Sequence, residues 1–146
     1  MPEGVYTRRI IVAADDLDQN HHVNNIVYVR WMNDVAIEHS AAGGWPMSRY
    51  LDERVAWVVR SHAIEYLRPA GEGDDITLMT WVNAMKGSNC TRRYVFVRAR
   101  ERKQIVSAST VWVYVGLDSG RIQRIPEALR AAFPVTDDAA ALAGVT

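Results

Sequence analysis

Between positions 15 and 25 the chain carries Asp15, Asp16, Asp18, Asn20, His21, His22, Asn24 and Asn25, its densest cluster of side chains able to do chemistry. They fall where a run of strand formers, Tyr6 to Ala13, hands over to a helical periodicity that starts at Asn25. The start of a helix presents backbone N–H groups without intrahelical partners and the positive end of the helix dipole. Such donors can hold a developing oxyanion, and a carboxylate beside them can act as base or nucleophile. Together they supply what cleavage of an acyl carbonyl requires. The same residue types also crowd turns and helix caps for local hydrogen-bonding reasons, so a purely structural loop is the competing reading. Metal binding is a third reading and a weak one: adjacent histidines rarely face one ion, and no cysteine or distant HxxxH spacing joins His21, His22 and Asp18.

Other schemes of catalysis find little support. No G-x-S-x-G elbow occurs, and Ser88 in KGSN reads as a hairpin residue. Cys90 opens a strand without a recognisable partner and is expected to pack. No G-x-G-x-x-G or P-loop is present. His39 and His62 read as core or interface residues. The five tryptophans (31, 45, 57, 81 and 112) read as mostly core, with one or two available to line an acyl pocket.

The elements that must position the cluster follow from period. After the first strand, Asn24 is a candidate N-cap for a helix in which Arg30, Asn33, Asp34 and Glu38 share a polar stripe. Tyr28, Trp31, Met32, Val35, Ala36 and His39 fill the rest of that helix, which predicts burial against a sheet. Gly43, Gly44 and Pro46 end it. A loop is expected through Glu53. Four strands are then predicted, over Val55 to Leu67, Asp75 to Met85, Cys90 to Arg100 and Gln104 to Leu117, with short breaks at 69–74, 86–89 and 100–103. Residues 125–133 read as a short helix, and the tail from 134 to 146 as a loose end. The ordered core is expected over about 5–133. This order gives an α+β domain, one long helix on a five-stranded antiparallel sheet, with positions 1–146 forming a single domain. One helix covers one sheet face, so apolar positions such as Trp112 or Val113 are expected to need a subunit partner in a homodimer or homotetramer.

Composition limits the remaining classes. The 146 residues include 17 basic and 17 acidic ones, so no net charge advertises nucleic acid. The apolar runs fall well short of the ~20 residues of a membrane span, and MPEGVYTRRIIV does not read as a secretion signal. One cysteine excludes an intramolecular disulfide and fits a reducing, cytoplasmic setting.

The stretch Asp16-Leu17-Asp18-Gln19-Asn20-His21-His22-Val23-Asn24-Asn25, followed by Tyr28, resembles the D-x-D-x-x-x-H-V-N-N-x-x-Y signature of hotdog-fold thioesterases. It is similar to the 4-hydroxybenzoyl-CoA thioesterase family and the plant acyl-carrier-protein thioesterases. Glu65 to Ala70 with Gly73-Asp74, then Thr110 to Val113 and Arg124 to Pro126, extend the resemblance over roughly residues 5–133. It implies a long helix wrapped by a curved antiparallel sheet, dimers or tetramers, and acyl sites between subunits. It further implies that Asp18 is the essential carboxylate, that the Asn25 backbone N–H polarises the thioester carbonyl, and that Asn20 and His22 join the aspartate. His21 stands where bacterial relatives commonly have glycine. The coenzyme-contacting loop of the family falls at Lys86, Ser88 and Asn89. The resemblance thus implies hydrolysis of an acyl-CoA or acyl-carrier-protein thioester with no metal or redox cofactor. Two rivals remain: a hotdog dehydratase, which needs a His/acid pair on the long helix, and a non-catalytic acyl-CoA-binding domain, expected to lack the carboxylate at 18.

Overall fold

A computed structural model of the protein describes residues 2–146. The strands are β1 (Tyr6–Ile11), β2 (Val55–Tyr66), β3 (Asp75–Lys86), β4 (Asn89–Arg98) and β5 (Lys103–Gly116). They form one antiparallel sheet in the order β1-β3-β4-β5-β2. Helix α1 (Asn25–Ala42) links β1 to β2 across one face of it. This is the expected α+β architecture, with element ends shifted by no more than two residues from the periodicity, as element boundaries usually are. Asn24 does cap α1, its Oδ1 accepting the Ile26 N–H at 3.0 Å. The six residues expected to fill the buried part of α1 are all buried. Val27, Tyr28, Trp31, Met32 and Val35 meet Ile76, Leu78, Tyr94, Phe96, Val106 and Ala108 from the alternate positions of β3, β4 and β5.

Three expectations need correction. Residues 47–52 are not loop but a short helix, α2 (Met47–Asp52), which sets Tyr50 beside Trp45 in a second apolar cluster with Val55, Val82, Cys90 and Tyr114. The same cluster takes in Leu129 and Phe133 from the region of α3 (Glu127–Ala132), the predicted closing helix. The tail is not loose either. It forms α4 (Asp138–Ala141) and lays Ala141, Leu142 and Val145 on Met79, Trp81, Val95 and Val97, on the sheet face turned away from α1. The tail's small apolar residues gave no periodic signal, yet they fit a flat face that one helix cannot reach.

The third correction concerns the surface left uncovered. Val113 is already buried and Trp112 is half-buried. The exposed apolar residues lie instead on β2, where Val58, Val59 and Tyr66 are 50%, 37% and 48% exposed. β2 is an edge strand of 12 residues paired with β5 alone, so one side of its backbone has no strand partner. Among the described residues, no helix is long and apolar enough to cross a membrane.

Candidate active site

Residues 17–23 form a miniature hairpin between the first strand and α1, closed by a bridge between Leu17 and Val23. At its tip the Asp18 N–H donates to the His22 carbonyl at 2.8 Å, and the His21 N–H to the Asp18 carbonyl at 3.1 Å. Asp18 Oδ1 accepts the N–H groups of Asn20 (2.8 Å) and His22 (3.3 Å). Such a turn forces His21 into the left-handed region, at φ +61°. Glycine adopts that conformation without strain, and histidine is among the side chains that tolerate it.

The three acids of the cluster are sorted by their bonds. Asp16 Oδ2 accepts the Ala13 N–H at 2.9 Å, and its other oxygen lies 3.9 Å from Arg30. Asp16 is a local structural residue. Asp15 is exposed and makes no side-chain hydrogen bond among the described residues. Asp18 is held on one side only: Oδ1 is fixed by two backbone donors, and Oδ2 has no partner among the described residues. The capping reading therefore holds for Asp16 and Asn24, and only for half of Asp18.

The start of α1 leaves one donor open beside this loop. The Asn24 N–H goes to the Asp16 carbonyl, the Ile26 N–H to Asn24 Oδ1 and the Val27 N–H to the Asn24 carbonyl. The Asn25 N–H has no acceptor among the described residues, in an exposed residue at the positive end of an 18-residue helix. Asn20 and His22 meet Asp18 through their backbones. Their side chains are exposed and make no hydrogen bond among the described residues.

The segment RPAGEGD anchors this loop. The Val23 N–H donates to the Ala70 carbonyl at 2.9 Å, and Ala70 is 2% exposed. Arg98 donates to the Pro69 carbonyl and lies 3.6 Å from Asp74. Tyr66 reaches the Asn25 carbonyl at 3.4 Å. Tyr28 packs on Tyr66 and Phe96, and burial pushes its hydroxyl up to about 12.

Lys86, Ser88 and Asn89 are not brought to Asp18 within one chain. Lys86 and Asn89 face each other across the β3–β4 hairpin, with Gly87 at φ +62° in the turn. The Asp18 loop sits at the other end of β3, where Val12 exchanges backbone bonds with Gly73 and Asp74. About 35 Å of strand separates the two ends at ~3.3 Å per residue. The hairpin instead neighbours a cavity of about 250 Å³ under the C-terminal half of α1. Trp45, Trp57, Trp112, Cys90, Arg92 and Phe133 are among its walls. Three tryptophans line it where one or two are expected, with Trp45 packed against Tyr50 of α2.

The acids and the histidine of α1 are engaged. Arg8 lies 3.0 Å from Glu38 and 3.7 Å from Asp34, and Tyr6 also donates to Glu38, at 3.5 Å. His39 is buried between the rings of Tyr6 and Phe133. The helix thus offers no free His/acid pair of the kind a dehydratase needs. Cys90 packs as expected; it is 4% exposed, and burial raises its thiol to about 11. His62 is exposed on β2 and pairs with Thr110 at 2.8 Å.

Comparison with known proteins agrees with this anatomy. Residues 12–133 match the sequence profile of the thioesterase-like superfamily. No curated protein matches significantly. Among solved structures, a protein of Lactobacillus plantarum provisionally named an oleoyl thioesterase superposes with a TM-score of 0.83 at 19% identity, over 88% of this chain and 50% of its own. A 1,4-dihydroxy-2-naphthoyl-CoA thioesterase from Synechocystis gives 0.81 at 15% identity, over 88% and 95%. An acyl-ACP thioesterase from Bacteroides thetaiotaomicron gives 0.84 at 17% identity, over 92% and 54%. The chain spans about half the length of the first and third of these proteins. The fold is the hotdog fold that the motif implied. The chain belongs to the thioesterase-like superfamily.

Proposed function

We propose that the protein hydrolyses acyl-CoA or acyl-carrier-protein thioesters, with Asp18 as the reacting carboxylate. The observation that carries this reading is the asymmetry of Asp18: one oxygen is held by two backbone N–H groups while the other stays open, in the loop that leads into the helix start with its open Asn25 N–H. In one form of the reaction, Asp18 Oδ2 attacks the thioester carbonyl, the C–S bond breaks, and the thiolate leaves a mixed anhydride that water cleaves. In the other, the carboxylate takes a proton from a water that attacks the carbonyl, and the thiolate leaves from the tetrahedral intermediate. Both forms place negative charge on the carbonyl oxygen, where the Asn25 N–H and the helix dipole stabilise it. Asn20 and His22 have side chains free to orient substrate or water. Neither form needs a metal or redox cofactor.

We further propose that two copies of the chain build each site. In the dimer we infer, the β2 strands pair antiparallel about their midpoint, between Arg60 and Ser61. Tyr66 of one copy then lies opposite Val55 of the other. Tyr66 touches Asn25, and Val55 lines the cavity. This pairing brings the cavity and the Lys86–Asn89 hairpin of one copy toward the Asp18 loop of the other, so that Lys86, Ser88 and Asn89 face the coenzyme or carrier arm. The exposed apolar residues of β2 support it, as isologous pairing would cover them. We place the protein in the cytoplasm, where the unpaired thiol of Cys90 stays reduced. Thiol release from a panel of acyl-CoA and acyl-carrier-protein thioesters tests the reading; absence of turnover across both panels would overturn it.

A further inference from the structure

The cavity holds a positive charge that no acid among the described residues answers. Arg92, on the α1-facing side of β4, is 4% exposed and lines the cavity. Its Nη1 lies 2.8 Å from His39 Nδ1 and donates to Thr80 Oγ1 at 3.0 Å. Among the described residues Arg92 takes part in no salt bridge. Its Nε and Nη2 make no hydrogen bond there either. His39 does not supply the missing charge: burial, and then the nearby guanidinium, lower its pKa to about 3, so it accepts as a neutral ring. A guanidinium stays charged at any physiological pH, and a buried charge without an opposite one is costly. The other lining residues, Trp45, Trp57, Trp112 and Phe133 among them, include no carboxylate.

An apolar chamber with one unanswered guanidinium suits an acyl group that is apolar along its length and anionic at its end. Arginine is suited to that end because its planar fork matches a carboxylate with two parallel N–H···O bonds. We propose that the cavity takes the acyl part of the substrate and that Arg92 pairs with a carboxylate at its far end, making ω-carboxyacyl thioesters the preferred class. This rests on the thioesterase reading above and narrows its substrate.

The test compares adipoyl-CoA with hexanoyl-CoA and suberoyl-CoA with octanoyl-CoA. Each pair has equal carbon number and differs in a terminal carboxylate against a methyl; shorter diacyl thioesters cyclise by themselves and are unsuitable. Wild type is expected to favour the carboxylate-ended member in kcat/KM by at least ~10-fold, the scale of one charge-assisted hydrogen bond. Arg92→Met should abolish or invert that ratio, and Arg92→Lys, which keeps the charge, should retain its direction. Should Arg92→Met fail to fold, the wild-type and Arg92→Lys ratios still decide. Equal use of both members, or preference for the methyl-ended one, by wild type would overturn the proposal. Binding separates it from the reaction. Asp18→Asn should bind adipoyl-CoA at least ~10-fold more tightly than hexanoyl-CoA, read by fluorescence of the cavity tryptophans. Such selective binding without any wild-type turnover would sink the hydrolase reading and leave this one standing. Turnover without selectivity would do the reverse.

Discussion

Asp18 and His22 hold each other twice: the Asp18 N–H donates to the His22 carbonyl at 2.8 Å, and the His22 N–H donates to Asp18 Oδ1 at 3.3 Å. The loop between them is closed by main chain and one carboxylate oxygen, and it leaves His21 at φ +61°. Its geometry therefore depends on backbone conformation at 21 and on the acceptor at 18. The imidazoles play no part in closing it.

From this, His21→Gly should keep stability within about 1 kcal/mol of wild type, since relief of the left-handed strain offsets the added freedom of the unfolded chain. Its kcat should stay within a few-fold. His21→Val places a β-branched residue where none fits and should cost about 1–2 kcal/mol, with lower kcat. His22→Ala preserves the loop bonds, so urea unfolding should barely change, whereas kcat should fall about 10-fold through loss of a positioning group. Urea midpoints and steady-state rates on these three variants check the assignment. A large kcat loss in His21→Gly with none in His22→Ala would reverse the two roles.

Much of this was legible in the sequence. The polar cluster stands out because its residues interrupt two strongly periodic segments, and the buried positions of α1 follow from its 3.6-residue period. The motif points to Asp18 among three nearby acids, and the bonds of Asp16 supply the physical reason. What could not be read is long-range. The tail packs through Ala141, Leu142 and Val145 on a face defined by strand residues 44 to 66 positions earlier. The pocket depends on α2, six residues too short for a periodic signal. Arg92 looks like any arginine in a strand until its burial and its neighbours are known.

Pairing through β2 makes a register-specific expectation. Light scattering at micromolar concentration should give a dimer or tetramer mass. Ser61→Arg would set an arginine opposite Arg60 of the other copy twice across the two-fold axis, and like charges directly opposite destabilise a strand pair. That variant should shift toward monomer and lose turnover together with mass. A monomeric wild type would contradict both the pairing and the shared site.

His39 gives a pH dependence of known sign. Burial and Arg92 hold its folded pKa at about 3, below the ordinary 6.5. Between these values the unfolded chain binds a proton that the folded one refuses, so stability falls as pH drops from 6.5 toward 3. The slope approaches about 1.4 kcal/mol per pH unit from this one group. His39→Asn keeps an acceptor for Arg92 without titrating. Its urea-unfolding free energy should therefore fall less steeply than wild type between pH 6.5 and 4.5. Parallel slopes would refute the assignment of a neutral buried imidazole.

The C-terminal segment should contribute to stability. Asp138 accepts from Trp81 Nε1 at 2.8 Å and Asn83 at 3.3 Å, and it pairs with Arg93 at 3.0 Å. Asp138→Ala strands the buried indole N–H and should cost about 1–3 kcal/mol, with little effect on kcat because the segment lies on the sheet face away from α1. Thermal melts beside rates would show this; an unchanged melting temperature would return the tail to a loose end.

The most direct measurement is thiol release by wild type and Asp18→Asn on the best acyl thioester of a panel. Asparagine keeps an Oδ1 that can accept from the Asn20 and His22 N–H groups, so the loop and the fold should persist, as circular dichroism and melting would register. It removes the charge and nucleophilicity of the open oxygen. Turnover should fall by at least ~100-fold, the scale of a lost base or nucleophile. A folded Asp18→Asn that releases thiol at close to the wild-type rate would contradict the account.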